Sequence, residues 1–203
     1  MESHVENGIL VLADISGFTA FVTSTELEHG PAMIAELLEQ VMQRLSPPLT
    51  IQEVEGDAVF ALGPDRDVEP RANLLDVLDD AFAAFKKRQR ELAADESCSC
   101  GACRSVPKLD LKFIAHHGRF LRHRVGGRGQ VAGPDVILAH QLLKNRVGKR
   151  AYLLLTEAAL TWLGREAVTR NLAVHVESYE HLGEVRCYVG ELANTLTMAP
   201  AAA

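Results

Sequence analysis

The sequence predicts one α+β domain, with helices packed on one face of a mainly antiparallel sheet. Three observations carry this expectation. Short apolar or alternating runs are interspersed with stretches of helical period rather than segregated from them. Several strand-like runs are joined by tight polar turns, as at Glu55-Gly56-Asp57. A chain of 203 residues, 47% hydrophobic and 24% charged, can bury a core that needs no disulfide framework.

The elements follow in order. Gly8 to Ile15 is a short apolar run containing one acid, Asp14, which reads as a buried strand. Gly30 and Pro31 open a helix whose Ile34, Leu37, Leu38, Val41, Met42 and Leu45 recur every three or four residues, and Pro47-Pro48 ends it. Leu49 to Glu53 and Ala58 to Leu62 flank the Glu55-Gly56-Asp57 turn as a hairpin. Pro64 to Pro70 is a polar loop. A second helix runs from Ala72 to Glu91, with Leu74, Leu78, Phe82 and Phe85 inward. Its Lys86, Lys87, Arg88 and Arg90 read as a solvated end that suits the helix dipole. Leu109, Leu111, Phe113 and Ala115 alternate as a strand that Gly118 is expected to break. Phe120 to Val125 is then a partner strand, followed by a loop of Gly126, Gly127 and Gly129. Pro134 starts a third helix, with Ile137, Leu138, Leu142 and Val147 as its inner stripe. Ala151 to Leu155 is a strand, Thr156 caps a short helix carrying Ala159, Leu160 and Leu163, and Ala173–Tyr179 and Val185–Leu192 are the last strands.

The domain is expected over residues 8–195, with tails at 1–7 and 196–203 and a cysteine-rich insert loop at 94–108. A net charge of −6 argues against general nucleic-acid binding. No apolar stretch approaches the ~20 residues of a spanning helix, so no membrane partner is expected. MESHVENG lacks a basic region followed by an apolar run, and the expected location is the cytoplasm.

Two acids stand out. Asp14 lies at a strand end before Ser16-Gly17, and Asp57 sits at a hairpin tip 43 residues later. Brought together, two carboxylates repel unless a cation or shared proton relieves them. Such hard oxygen ligands suit Mg²⁺ or Mn²⁺ carrying a substrate phosphate. Backbone amides of the Ser16-Gly17 turn could face an anion. Each acid taken alone is equally an ordinary turn residue. A third feature is Cys98-Ser99-Cys100-Gly101-Ala102-Cys103. Three thiols this close read as a Zn²⁺ site or as free thiols in a surface loop. Zinc would pin the loop and needs a fourth ligand, for which His116, His117, His123 and Cys187 are candidates. His116 and His117 point to opposite faces of a regular strand.

LADISGFTAFV and EGDAVFAL together resemble the two metal-binding segments of class III nucleotidyl cyclases. LDLKFIAHHGRFLRHRV resembles the strand of that family that ends in His-x-Gly, and VAGPDVILAHQLLKN resembles the helix that follows. The likeness covers about residues 8 to 165 with the motifs in register. It extends to a bacterial subgroup of cyclase-like domains with a Cys-x-Cys-x-x-Cys insert. The resemblance implies a ferredoxin-like α+β core and head-to-tail homodimers with sites at the interface. It makes Asp14 and Asp57 the metal-bridging carboxylates and gives the Ile15 carbonyl to a metal. Ser16, Gly17, Phe18 and Thr19 form the phosphate turn, where the amides of Gly17 to Thr19 approach the phosphates. Glu53 and Gln130 fall at the base-selecting positions, where an acid at Glu53 matches guanine-selective members. In the family, two ions activate the ribose 3′-hydroxyl and hold the triphosphate for in-line attack. Its helix also supplies an Asn and an Arg, and here those positions hold Ile137 and Gln141. Loss of a charged phosphate clamp costs on the order of 10³-fold in rate. The expectation is therefore a metal- and nucleotide-binding or regulatory module rather than an efficient enzyme. The alternatives are an active purine nucleotide cyclase, using Arg122, Arg124, Arg128 or Lys144 as substitutes, and a zinc-stapled interaction protein with an empty nucleotide pocket.

Overall fold

The computed structural model describes residues 4–25, 29–69, 71, 73–94, 98, 100–164 and 168–192. The expected tail at 196–203, and the loop and helix ends at Pro70 and Ala72, lie outside the described residues.

The first strand, β1, spans His4–Ser16, so residues 4–7 of the expected tail belong to the sheet. A short helix α1 (Phe18–Thr23) leads to α2 (Gly30–Leu45), followed by the hairpin β2 (Thr50–Glu55) and β3 (Ala58–Pro64). Helix α3 (Asn73–Ala93) is followed by the cysteine insert, which holds α4 (Gly101–Ser105) and one 3-10 turn (Val106–Lys108). Then come β4 (Asp110–Val125), β5 (Arg128–Ala132), α5 (Pro134–Gln141) and β6 (Tyr152–Thr156). Helix α6 (Glu157–Leu163), β7 (Leu172–Tyr179) and β8 (Gly183–Gly190) follow.

The sheet order is β2-β3-β1-β4-β6-β8-β7, with β5 paired to β4. Among the described residues, only the β4–β6 pair is parallel. Within it, β1-α2-β2-β3-α3-β4 and the order β4-β1-β3-β2 make a ferredoxin-like unit.

The central strands read as continuous apolar runs because both of their faces are covered. Ile9, Val11, Ala13 and Ile15 of β1 enter the main core with α2 and α3, whereas Leu10 and Leu12 face a second cluster under α5. In β4, Leu111, Phe113 and Ala115 take the first side and Ile114 the second. The expected stripes of α2 and α3 are buried, except that Met42 is only partly so.

Three local expectations are corrected. Gly118 does not break the strand: it pairs with Gly8 inside a continuous β4. A Cβ there would run into the Asp135 side chain, so the glycine serves a close approach. Phe120–Val125 is therefore the far half of β4, its partner is β5, and the turn is Gly126-Gly127. The inner face of α5 is Val136 and Ala139, continued by Leu142, while Ile137 is 55% exposed. With apolar residues on every side of this short helix, periodicity does not fix its phase.

The basic end of α3 is more than a solvated terminus. Lys86 pairs with Asp110 at 2.9 Å, and Arg88 pairs with Glu36 of α2. Gln89 is buried and donates from Nε2 to the carbonyls of Val106 (2.9 Å) and Leu109 (2.6 Å), which orders the end of the insert. No described helix is long and apolar enough to cross a membrane.

Candidate functional site

Antiparallel register brings the two aspartates together. Asp14 on β1 pairs with Ala58 of β3, so the β2–β3 turn carrying Asp57 stands beside it, and the Ile15 amide donates to the Asp57 carbonyl at 3.2 Å. Both line one open cleft of about 580 Å³ with Ile15, Ser16, Gly17, Phe18 and Thr19. Lys112, Lys149 and Arg150 complete it.

The charges are unequally satisfied. Lys112, directly across from Asp14 on β4, places its ammonium 2.9 Å from Asp14 Oδ2 and 3.0 Å from the Leu143 carbonyl. Burial, and then the neighbouring Asp14, push the Asp57 carboxyl up from 3.8 to about 6. Asp57 is thus a carboxylate whose charged form burial and Asp14 disfavour. Two carboxylates beside a backbone carbonyl are a donor set that fits a hard divalent ion.

Gly17 has φ +93°, and a Cβ on it would meet the Arg150 guanidinium. Arg150 donates to the carbonyls of Ser16 (3.2 Å) and Lys108 (2.6 Å), while the Ser16 hydroxyl donates to the Arg150 carbonyl at 2.6 Å. Ser16 therefore fastens the segment before β6 to the turn. The first amides of α1 have no partner within their own helix. Sequence reasoning missed Lys112, Lys149 and Arg150. Lys112 is an ordinary polar position in the alternation of β4, and only the register shows that it opposes Asp14.

Glu53 and Gln130 also meet, in a second cleft of about 460 Å³ with Gln52, Phe60, Arg128 and His140. A bulge between Ile51 and Glu53 frees Gln52, whose amide donates to the Gly129 carbonyl at 3.1 Å and ties β2 to β5. Of the expected substitute cations, only Arg128 lines this cleft. Arg122 is held by Glu6 (3.0 Å), Arg124 donates to the Gly127 carbonyl (2.6 Å), and Lys144 is exposed outside it. Ile137 and Gln141 stand one turn apart on the exposed face of α5.

The paired histidines are structural. His116 is buried, with Nδ1 2.9 Å from Thr156 Oγ1 and Nε2 3.2 Å from Asp135 Oδ1. Burial lowers its pKa. A neutral ring that donates to Asp135 accepts from the Thr156 hydroxyl, which itself accepts from the Ala159 amide at 3.2 Å. On the other face His117 Nε2 lies 3.0 Å from Asp65, which also accepts from Trp162.

The cysteines gather around an unexpected partner. Ligand atoms of His29, Cys98, Cys100 and Cys103 lie within 4.8 Å of one another. The four residues considered from sequence are elsewhere: His116 and His117 as above, His123 opposite Gln130 in the β4–β5 ribbon, and Cys187 in the second core cluster. His29 carries no local signature, because it reaches the cysteines only once α2 is packed.

The family described as "Protein of unknown function (DUF2652)" matches residues 34–152. The chain belongs to this family. A relative of this DUF2652 chain is the "Uncharacterized protein Rv2561/Rv2562" of Mycobacterium tuberculosis, 30% identical over 168 residues, or 83% of this chain and 77% of that one. Among solved structures, the guanylyl cyclase Cya2 superposes with a TM-score of 0.76 at 12% identity over 99% of this chain and 100% of that one. The adenylyl cyclase CyaB from P. aeruginosa gives 0.65 at 14% identity over 94% and 96%. The guanylate cyclase domain of RhGC from Catenaria anguillulae, in complex with GTP, gives 0.65 at 12% identity over 95% and 99%. The DUF2652 chain has the class III nucleotidyl cyclase fold.

Proposed function

We propose that this protein is a divalent-metal and nucleoside-triphosphate-binding module of cyclase type, acting as a binding or regulatory domain rather than as an efficient cyclase. The observation that carries the reading is the convergence of Asp14 and Asp57, where burial and the Asp14 charge hold Asp57 near pKa 6. Asp14, Asp57 and the Ile15 carbonyl hold Mg²⁺ or Mn²⁺, which supplies charge neutralisation for a triphosphate. The amides of Gly17 to Thr19 and the Lys149 ammonium receive the phosphates, and Arg150 keeps the turn in shape. Glu53 and Gln130 offer base contacts from a different cleft of the same chain, which supports a head-to-tail homodimer in which each complete site draws on two subunits. The domain, with β1 included from His4, is the binding unit, and its setting is the cytoplasm.

The cyclising step lacks its usual groups. Ile137 has no hydrogen bond to offer a ribose, and Gln141 has no charge to stabilise a developing phosphate. A second reading, an active purine nucleotide cyclase, draws on Arg128, which shares the cleft of Glu53 and Gln130. The test is a melting shift in Mn²⁺ with GTP or ATP, alongside an assay for cyclic nucleotide. At one hundred times Kd the shift corresponds to about 2.7 kcal/mol. A shift abolished in Asp57→Asn, without cyclic product, supports the module. Product that Asp57→Asn abolishes establishes the enzyme instead, and no shift with any nucleotide overturns both.

A further inference from the structure

We propose that His29, Cys98, Cys100 and Cys103 form a tetrahedral zinc site that fastens the start of α2 to the connection between α3 and β4. His29 Nδ1 lies 3.4 Å from Cys100 Sγ and 3.5 Å from Cys98 Sγ, and Cys100 Sγ lies 3.5 Å from Cys103 Sγ. A tetrahedron with bonds of about 2.3 Å to sulfur and about 2.0 Å to nitrogen has edges of roughly 3.5–3.8 Å. Three of the six separations therefore already stand close to those that one ion between the side chains imposes, and all six lie within 4.8 Å.

The donor chemistry selects the ion. Three thiolates and an imidazole suit Zn²⁺, whereas the oxygen ligands of the Asp14 cleft suit Mg²⁺ or Mn²⁺. The surrounding chain supports the first ligands. Cys100 caps α4 and its sulfur accepts the Cys103 amide at 3.4 Å, an outer bond that disperses thiolate charge. Cys103 and Ala102 are buried in the main core, and Gln89 fixes the carbonyls at the far end of the insert. Four ligands close the site, as in structural rather than catalytic zinc centres. The anchor joins His29, just ahead of α2, to a segment about 70 residues further along, so it closes a long loop of chain over α2 and α3. Neither Asp14 nor Asp57 takes part, so the site stands or falls apart from the nucleotide reading.

The test is elemental analysis of the full chain purified without chelator, joined to cobalt exchange. About one zinc per chain is expected. Cobalt should give the intense visible bands of tetrahedral coordination and a sulfur-to-metal charge-transfer band. His29→Cys should keep the metal and move the cobalt bands toward those of four thiolates. Cys100→Ser with Cys103→Ser should lose zinc, while Cys187→Ser, His123→Ala and Asp57→Asn should retain it. Should the double variant fail to fold, chelator added to the wild-type chain should lower the melting temperature by several degrees, and zinc should restore it. Less than about a tenth of a zinc per chain from zinc-replete cells would overturn the proposal. So would iron in its place, a cobalt spectrum that His29→Cys leaves unmoved, or full zinc in the double cysteine variant.

Discussion

Asp57 decides how the cleft responds to pH. Its folded-state value of about 6 lies above the 3.8 of a free aspartate side chain, so the fold holds this proton more tightly than the unfolded chain does. That contribution to stability is complete below about pH 4 and is lost as pH rises through 6. In metal-free protein at pH 8, Asp57→Asn should therefore raise the melting temperature, by about 2–4 °C. This corresponds to about 1 kcal/mol once the shift is discounted for a half-exposed site. The gain should shrink at pH 5, where Asp57 is largely protonated; a constant gain would remove the assigned cause. Thr156 is a second residue with a defined load, bridging His116 Nδ1 and the Ala159 amide. Thr156→Val should cost about 1–3 kcal/mol in denaturant unfolding, because it strips both buried groups of a partner.

At the scale of elements, the exposed face of α5 carries the sharpest contrast between shape and chemistry. Ile137 and Gln141 stand where the resemblance calls for an Asn and an Arg. Both are exposed, so Ile137→Asn with Gln141→Arg should leave stability within about 0.5 kcal/mol. The pair should raise cyclic-nucleotide formation at least tenfold over wild type, and unchanged rates would show that this face does not meet a bound triphosphate. Elements whose evidence is local were legible in sequence. The Gly8–Ile15 run, the stripe of α2, the Glu55-Gly56-Asp57 turn and the Thr156 cap all declare themselves within a few residues. The misread elements depend on distant partners. Gly118 looks like a strand breaker until Asp135, 17 residues on, is seen packed against it. The phase of α5 is undetermined in a run of Val136, Ile137, Leu138 and Ala139. In the candidate site the two aspartates were legible because their motifs are local. Lys112 and His29 were not, since one is placed by β1–β4 register and the other by the packing of α2.

For the whole molecule, the proposed head-to-tail homodimer predicts complementation between two clefts of the chain. One carries Asp14 and Asp57, the other Glu53 and Gln130. Asp57→Asn alone and Glu53→Ala with Gln130→Ala should each abolish nucleotide binding. Mixed in equal amounts and allowed to exchange, they should recover about a quarter of the wild-type sites, because half the dimers are mixed and each has one intact interface site. No recovery from a mixture shown to exchange would place the entire site within one subunit. In the proposed site, Asp14 and Asp57 grip a divalent ion bearing a triphosphate. Electron paramagnetic resonance of free Mn²⁺, titrated with protein and a non-hydrolysable GTP or ATP analogue, tests it most directly. The free-ion signal should fall with wild-type protein beyond what the analogue alone removes, and Asp57→Asn should eliminate this extra loss. An identical signal with and without wild-type protein, or equal loss with Asp57→Asn, would contradict it.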